Sequence, residues 1–194
     1  RRCLTIEPAD LSTRFGANVS HDWGRKSWGT VQMTDISALA RRYHDDVHAA
    51  SLSAVPGEPE AQLTTPVSNL FTALVMHAGL GTLKLVRESP LGGSRPDFAA
   101  LHQRGSRTHQ VGFIELKAPS VAMDPVSWTG RNATQWQKMS QEAEILLLCN
   151  GRSARLFLHG EPEEEIADLP YDDPADWDPS PLLRVLRRFL ESRP

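Results

Sequence analysis

Apolar and polar positions along the chain change rhythm near residue 60. Ahead of it the periodicity is weak. Residues 1–33 scatter Gly16, Gly24 and Gly29 among polar positions and read as an irregular leader. One helix is expected there, "DISALARRYHDDVHAA" (35–50), with Thr34 as its N-cap. Pro and Gly in "SLSAVPGEP" (51–59) then mark a loop.

From about Glu60 the pattern becomes regular. "PVSNLFTALVMHAGLG" predicts a helix with Pro66 in its first turn, Leu70, Phe71, Leu74 and Val75 on one face, and Gly79 as its stop. Three strands are predicted next, at 82–88, 97–103 and 110–117, the last two joined by a hairpin at "RGSRT". A helix over 132–144 leads into "ILLLC" (145–149), a buried strand, and a second strand at 153–160 follows the Asn150-Gly151 turn. At the end, Ser180 and Pro181 open a helix whose Leu182, Leu183, Leu186, Phe189 and Leu190 form a stripe opposite Arg184, Arg187 and Arg188. The order α-β-β-β-α-β-β predicts an α/β fold, a mixed sheet flanked by helices. Four parts are expected: an N-terminal extension with one helix (1–58), a core (59–160), an acidic loop (161–179) and a C-terminal linker helix (180–194).

Composition changes this picture in three places. The net charge of −3 is uneven: "EPEEEIADLPYDDPADWD" (161–178) holds nine acidic residues and no basic ones. Outside it, 21 basic residues face 15 acidic ones, a net of +6. Charge that dense predicts a solvated loop. No apolar run approaches the ~20 residues of a bilayer span, and no signal-peptide pattern is present, so no membrane partner is expected. Two cysteines, Cys3 and Cys149, make no disulfide framework, which fits a reducing, cytoplasmic location, with Cys149 buried at the end of its apolar run. The chain opens on Arg1 rather than Met and is expected to be a piece of a longer protein.

The candidate chemistry lies in "RPDFAALHQRGSRTHQVGFIELKAPS" (95–120). Asp97 opens one strand of the hairpin, and Glu115 and Lys117 end the other on one face, so the hairpin gathers all three. Two close carboxylates repel each other, and burial raises their pKa values. A divalent cation relieves both effects, and hard oxygen ligands suit Mg²⁺. Such an ion activates water and polarises a phosphoryl oxygen, while a neighbouring lysine orients the water or stabilises developing charge. The three residues also fit a blander reading, a turn cap beside an edge ion pair. Pro96 ahead of Asp97, the apolar "VGFI" directly ahead of Glu115, and the element order favour a phosphodiesterase site.

On these residues the chain resembles the PD-(D/E)xK nuclease superfamily. The motif stands as Pro96-Asp97 and Glu115-Leu116-Lys117. Within the superfamily it looks like the nuclease domain at the N-terminus of restriction–modification proteins that carry an adenine methyltransferase downstream. The resembling stretch runs from about Glu60 to Phe157 and includes "EAQLTTPVSNLFTAL", Glu88, Pro90, "RPDFAAL", "VGFIELKAP" and "LLLCNGRSARLF". The resemblance implies a restriction-endonuclease-like core, α-β-β-β-α-β, and a Mg²⁺-dependent endodeoxyribonuclease, with Mn²⁺ able to substitute. Asp97, Glu115 and the Leu116 carbonyl would hold the metal, and Lys117 would assist the attacking water. Gln135 matches a glutamine found near such sites, with Gln137 as the competing choice. The helix at 66–78 lacks the acidic residue that such families often add, so Glu60 just ahead of it is the candidate, with Glu58 behind. DNA is the implied substrate, a methyltransferase and recognition domain of the same polypeptide the implied partner, and a homodimer on DNA the implied route to double-strand cuts. The alternative is a catalytically inactive module of the same fold that binds DNA or serves as a scaffold. A nuclease acting on RNA or single strands would instead need aromatic groups along its groove.

The remaining features are expected to be structural. His44, Asp45 and His48 have metal-ligand spacing but no third ligand, and read as a solvated helix face. Arg95, Arg104, Arg107, Arg131 and Lys138 are expected around the site as phosphate contacts or as ordinary surface cations. Trp128 and Trp136 are expected to pack the second core helix.

Overall fold

The computed structural model describes residues 35–52 and 59–192. The expected leader, Thr34 and Glu58 lie outside those residues. The described part belongs to one compact unit.

Helix α1 (Ile36–Ser51) is capped by Asp35, whose side chain accepts from the Ser37 N–H at 2.9 Å. It is no mere extension. Ala40, Tyr43 and Val47 are buried at helical spacing, and the Tyr43 hydroxyl donates to the Gly151 carbonyl at 2.7 Å.

Helix α2 (Pro59–His77) begins seven residues ahead of Pro66. Proline does fit a first turn, but Pro59 is the one that occupies it. Pro66 lies inside, and its lost backbone bond is offset by the buried row Leu63, Val67, Leu70, Phe71, Leu74 and Val75. The helix ends in a Schellman motif: the Gly79 N–H donates to Met76 O at 3.1 Å and the Leu80 N–H to Val75 O at 3.0 Å. Gly79, at φ 66°, takes the left-handed position that this motif requires.

The sheet has six strands in sequence order: β1 (Thr82–Arg87), β2 (Phe98–Arg104), β3 (Arg107–Leu116), β4 (Ile145–Cys149), β5 (Ser153–Leu158) and β6 (Glu161–Asp168). Neighbours are antiparallel except β3 and β4, which run parallel and are joined through α3 (Gly130–Glu142). This is the expected fold class: α/β, a mixed sheet flanked by helices, with the α-β-β-β-α-β order. A bulge interrupts β2–β3 pairing at Ala100/Leu101. Nearby, Gly112 lets β4 approach, since a Cβ there would sit 2.5 Å from the Ile145 carbonyl.

Two expectations at the C-terminal end are corrected. "EPEEEIAD" is β6, an edge strand paired with β5, and only the residues from Leu169 to Pro179 connect irregularly. Glu161, Glu163 and Glu165 fall at the strand period, and two of them meet arginines of α4 (Ser180–Glu191): Glu165 with Arg184 at 2.6 Å and Glu163 with Arg188 at 3.5 Å. That helix is no linker within this unit. Leu182, Val185, Leu186, Phe189 and Leu190 are buried in the main core with α1, α2 and one face of the sheet. Ser180 is its first residue, one position inside the Pro179 cap. Among the described residues no helix is long and apolar enough to cross a membrane.

Candidate active site

β3 carries the site because its two faces differ. Ile114 and Leu116 are fully buried in the main core. Phe113 packs on the opposite side, in the smaller cluster under α3, and Glu115 and Lys117 share that side. The ladder continues past the strand, with the Lys117 N–H donating to the Cys149 carbonyl at 2.9 Å. Lys117 is thus fixed where β3 and β4 part.

Asp97 is placed by the hairpin. Its carbonyl accepts from Glu88 N at 3.0 Å and its Oδ2 from Leu116 N at 2.7 Å. This carboxylate is tied to the backbone between the other two site residues. Lys117 Nζ donates to Glu115 Oε1 at 2.6 Å and to Gln135 Oε1 at 2.8 Å. Gln135, from α3, closes the triangle by donating Nε2–H to Glu115 Oε1 at 2.6 Å. Gln137 is exposed and makes no side-chain bond to the cluster. Glu60 Oε1 lies 4.0 Å from Lys117 Nζ. The early start of α2 therefore supplies the helix carboxylate that the sequence pattern placed outside the helix. The structure brings Asp97, Glu115, Lys117, Gln135 and Glu60 together.

Lys117 is 1% exposed and Glu115 2%. Burial pushes the Glu115 carboxyl up to about 7, against the pull of Lys117. Asp97 is raised by the same cause, opposed by the Leu116 N–H and by Lys117. Glu115 Oε2 is buried and has no hydrogen-bond partner among the described residues. An orphaned carboxylate oxygen beside a second carboxylate fits a hard divalent cation. Among the described residues no three His, Cys, Asp or Glu side chains are spaced to hold an ion by themselves. A metal here would therefore draw on main-chain oxygen or water as well.

The segment leaving Lys117 is tied down at several points. Asn150 Nδ2 donates to Val121 O at 2.8 Å, Asp124 caps a 3-10 turn (Pro125–Ser127), and Trp128 Nε1 donates to Ala122 O at 2.7 Å. Trp128 stands edge-on to Trp136, which packs against Phe157, and its ring lies 5.9 Å from Lys117 Nζ.

Arg104 and Arg107 do not lie at the site. They flank the far turn of the hairpin, seven residues of strand from Asp97, roughly 23 Å. Arg87 does lie near it. It pairs in register with Phe98, and its charge acts to lower the Asp97 pKa. Sequence reasoning missed Arg87 because only the β1–β2 register brings it there. It lines a small cleft of about 180 Å³ with Thr64, Thr65, Ser68 and Asn69 of α2. His48 Nε2 lies 3.0 Å from the Tyr171 carbonyl and His44 Nδ1 3.2 Å from Asp45, so both histidines have structural partners.

No protein-family model matches the chain, and no curated protein matches it. Among solved structures, one chain of the "cryoEM structure DrdV-DNA complex" is similar with a TM-score of 0.53, at 16% identity over 81% of this chain. This chain spans 14% of that one. At such identity the likeness is one of fold.

Proposed function

We propose that this chain is a divalent-metal-dependent DNA endonuclease domain of the PD-(D/E)xK kind. The observation that carries the reading is the buried lysine between Glu115 and Gln135, beside a carboxylate oxygen with no partner. Burying charge costs several kcal/mol per ion, and pKa values perturbed this way concentrate at functional sites. Asp97, Glu115 and the Leu116 carbonyl would hold the metal. When bound, Mg²⁺ would supply Lewis-acid stabilisation of the phosphoryl oxygens and activation of water.

The chain's own residues do the positioning. Glu115 and Gln135 fix Lys117 Nζ, so the ammonium meets developing negative charge without reorganising. The Leu116 N–H holds one oxygen of Asp97 and leaves the other to a ligand. Glu60, in the first turn of α2, is placed to orient water at the edge of the cluster. Water adds to phosphorus, one P–O ester bond breaks, and the leaving oxygen takes up a proton.

DNA is the substrate on this reading, and the likeness of fold to a chain solved with DNA supports it. The domain serves as the cleavage module of a larger restriction–modification or phage-defence protein, whose methyltransferase and recognition parts choose the sequence. Cutting both strands needs two such sites, so dimerisation on DNA follows. A dilution series that left double-strand cleavage unchanged would count against that dimer.

The test is plasmid nicking at low salt with Mg²⁺ or Mn²⁺, using wild type, Asp97→Ala and Lys117→Ala. Nicking by wild type alone, stopped by EDTA, is the expected result. If the three proteins behave alike, here and within the full-length protein, the cluster is structural and a DNA-binding or scaffolding module takes its place.

A further inference from the structure

The other end of the β2–β3 hairpin carries basic charge that the catalytic cluster does not use. Arg104 is the cross-strand partner of Arg107, and His102 of His109. Cross-strand partners share a face, so two successive basic rows lie side by side. Like charges directly opposite one another destabilise a hairpin. Neither arginine has an ion-pair partner among the described residues.

These four residues line a cleft of about 910 Å³ together with Leu190 and Glu191 at the end of α4. Glu191 is the carboxylate in that lining, and it pairs with neither guanidinium. His102 is 5% exposed, and its Nε2 lies 2.7 Å from the Leu80 carbonyl. A carbonyl only accepts, so Nε2 carries a hydrogen. The ring's Nδ1 is buried and has no partner among the described residues.

The cleft is separate from the catalytic cluster. Phe98, Ala100, His102 and Arg104 alternate onto the side of the sheet that carries the main core, whereas Glu115 and Lys117 face α3. The two sites lie at opposite ends of the hairpin and on opposite faces of it.

We propose that this cleft is a second ligand site, which takes a phosphate monoester or free phosphate. Arg104 and Arg107 present planar forks that match phosphate oxygens. The oxygens of a phosphate accept from both arginines at once. A terminal phosphate carries roughly −1.5 to −2 charges and a backbone diester only one, so two guanidiniums without ion-pair partners favour a terminal phosphate, whether of a nucleotide or of a 5′-phosphorylated strand end.

The test is calorimetric titration of the full chain at pH 7 with inorganic phosphate as probe, comparing wild type with the Arg104→Ala/Arg107→Ala double variant. Saturable binding weakened at least tenfold in the variant is expected. The unliganded variant should melt at the same temperature or higher, because the repulsion is gone, which separates lost binding from misfolding. A 5′-phosphorylated oligonucleotide should then outcompete its 5′-hydroxyl counterpart if strand ends are the source, and a nucleoside monophosphate should do so if nucleotides are. No binding, or equal binding by wild type and variant, would mean at most an adventitious ion and would overturn the proposal. So would equal competition by the 5′-hydroxyl strand. Plasmid nicking by the double variant should stay at the wild-type level, so the result stands apart from the nuclease reading.

Discussion

The two faces of β3 divide the work of the molecule. Toward α1, α2 and α4, the strand presents Ile114 and Leu116 to a large apolar core. Toward α3 it presents Phe113 and then Glu115, followed by Lys117 just past the strand, over a much smaller apolar cluster. Residues one position apart thus sit in opposite environments at nearly the same depth. The first face can hold the fold without chemistry. The second keeps a lysine and a glutamate out of water, which stability alone does not favour.

The sharpest way to break that comparison is to exchange neighbours. Leu116→Ala should lose about 2–5 kcal/mol of stability through the cavity it leaves. Lys117→Met should lose roughly 10³-fold or more in nicking rate, yet remain within about 1 kcal/mol of wild type at pH 6. At that pH the Glu115 carboxyl, with its pKa pushed up to about 7, is mostly protonated and is not left as an unpaired charge. Urea melts beside nicking rates check both variants. A Lys117→Met protein that is unfolded, or one that is fully active, would erase the division of labour between the faces.

A second prediction uses pH. The folded pKa of Glu115 is raised above its ordinary value of 4.5. Its contribution to metal-free stability is therefore fully present below about 4.5 and is lost as pH rises through about 7. Asp97 is shifted in the same direction and adds to the trend. The loss between pH 5 and 8 should be on the order of 2–3 kcal/mol, recovered on adding Mg²⁺ and reduced in Glu115→Gln. Metal-free stability that rises over this range would contradict the burial argument.

Arg87→Ala should have a smaller effect. On the proposed reading, an exposed cation beside Asp97, opposite the hydroxyls of α2, suits one backbone phosphate of a DNA substrate. Its loss should weaken DNA binding a few-fold and reduce the slope of log K against log salt by about 1, leaving stability unchanged. An unaltered salt slope would remove Arg87 from the substrate path.

Much of this was legible in the sequence because the signals were local. Apolar patterning placed β1 to β5 within a few residues, and "PD" and "ExK" sit at strand ends that a hairpin must bring together. Gln135, not Gln137, is the glutamine whose side chain bonds to Lys117 and Glu115. What local signals did not carry depended on tertiary partners. Pro66 looked like a helix start because the burial that compensates an internal proline is not visible in a window. Arg104 and Arg107 looked close to the site because sequence distance does not show that a hairpin carries its turn away from its ends. The acidic run looked like a loop because the arginines that meet it lie about twenty residues later.

That last misreading yields the smallest expected effect. The contacts of Glu165 with Arg184 and of Glu163 with Arg188 are largely exposed, and pairs of this kind contribute little to stability. Arg184→Ala should therefore leave stability almost unchanged, and have still less effect at high salt. Phe189→Ala, on the buried side of the same helix, should cost about 3–5 kcal/mol. If the surface variant proved the more damaging of the two, charge pairing rather than the apolar stripe would be what holds α4 to the sheet. The expected order places α4 with the structural face of the molecule, since its burial stabilises the fold and its arginines serve chiefly to make a strand of glutamates tolerable at a sheet edge.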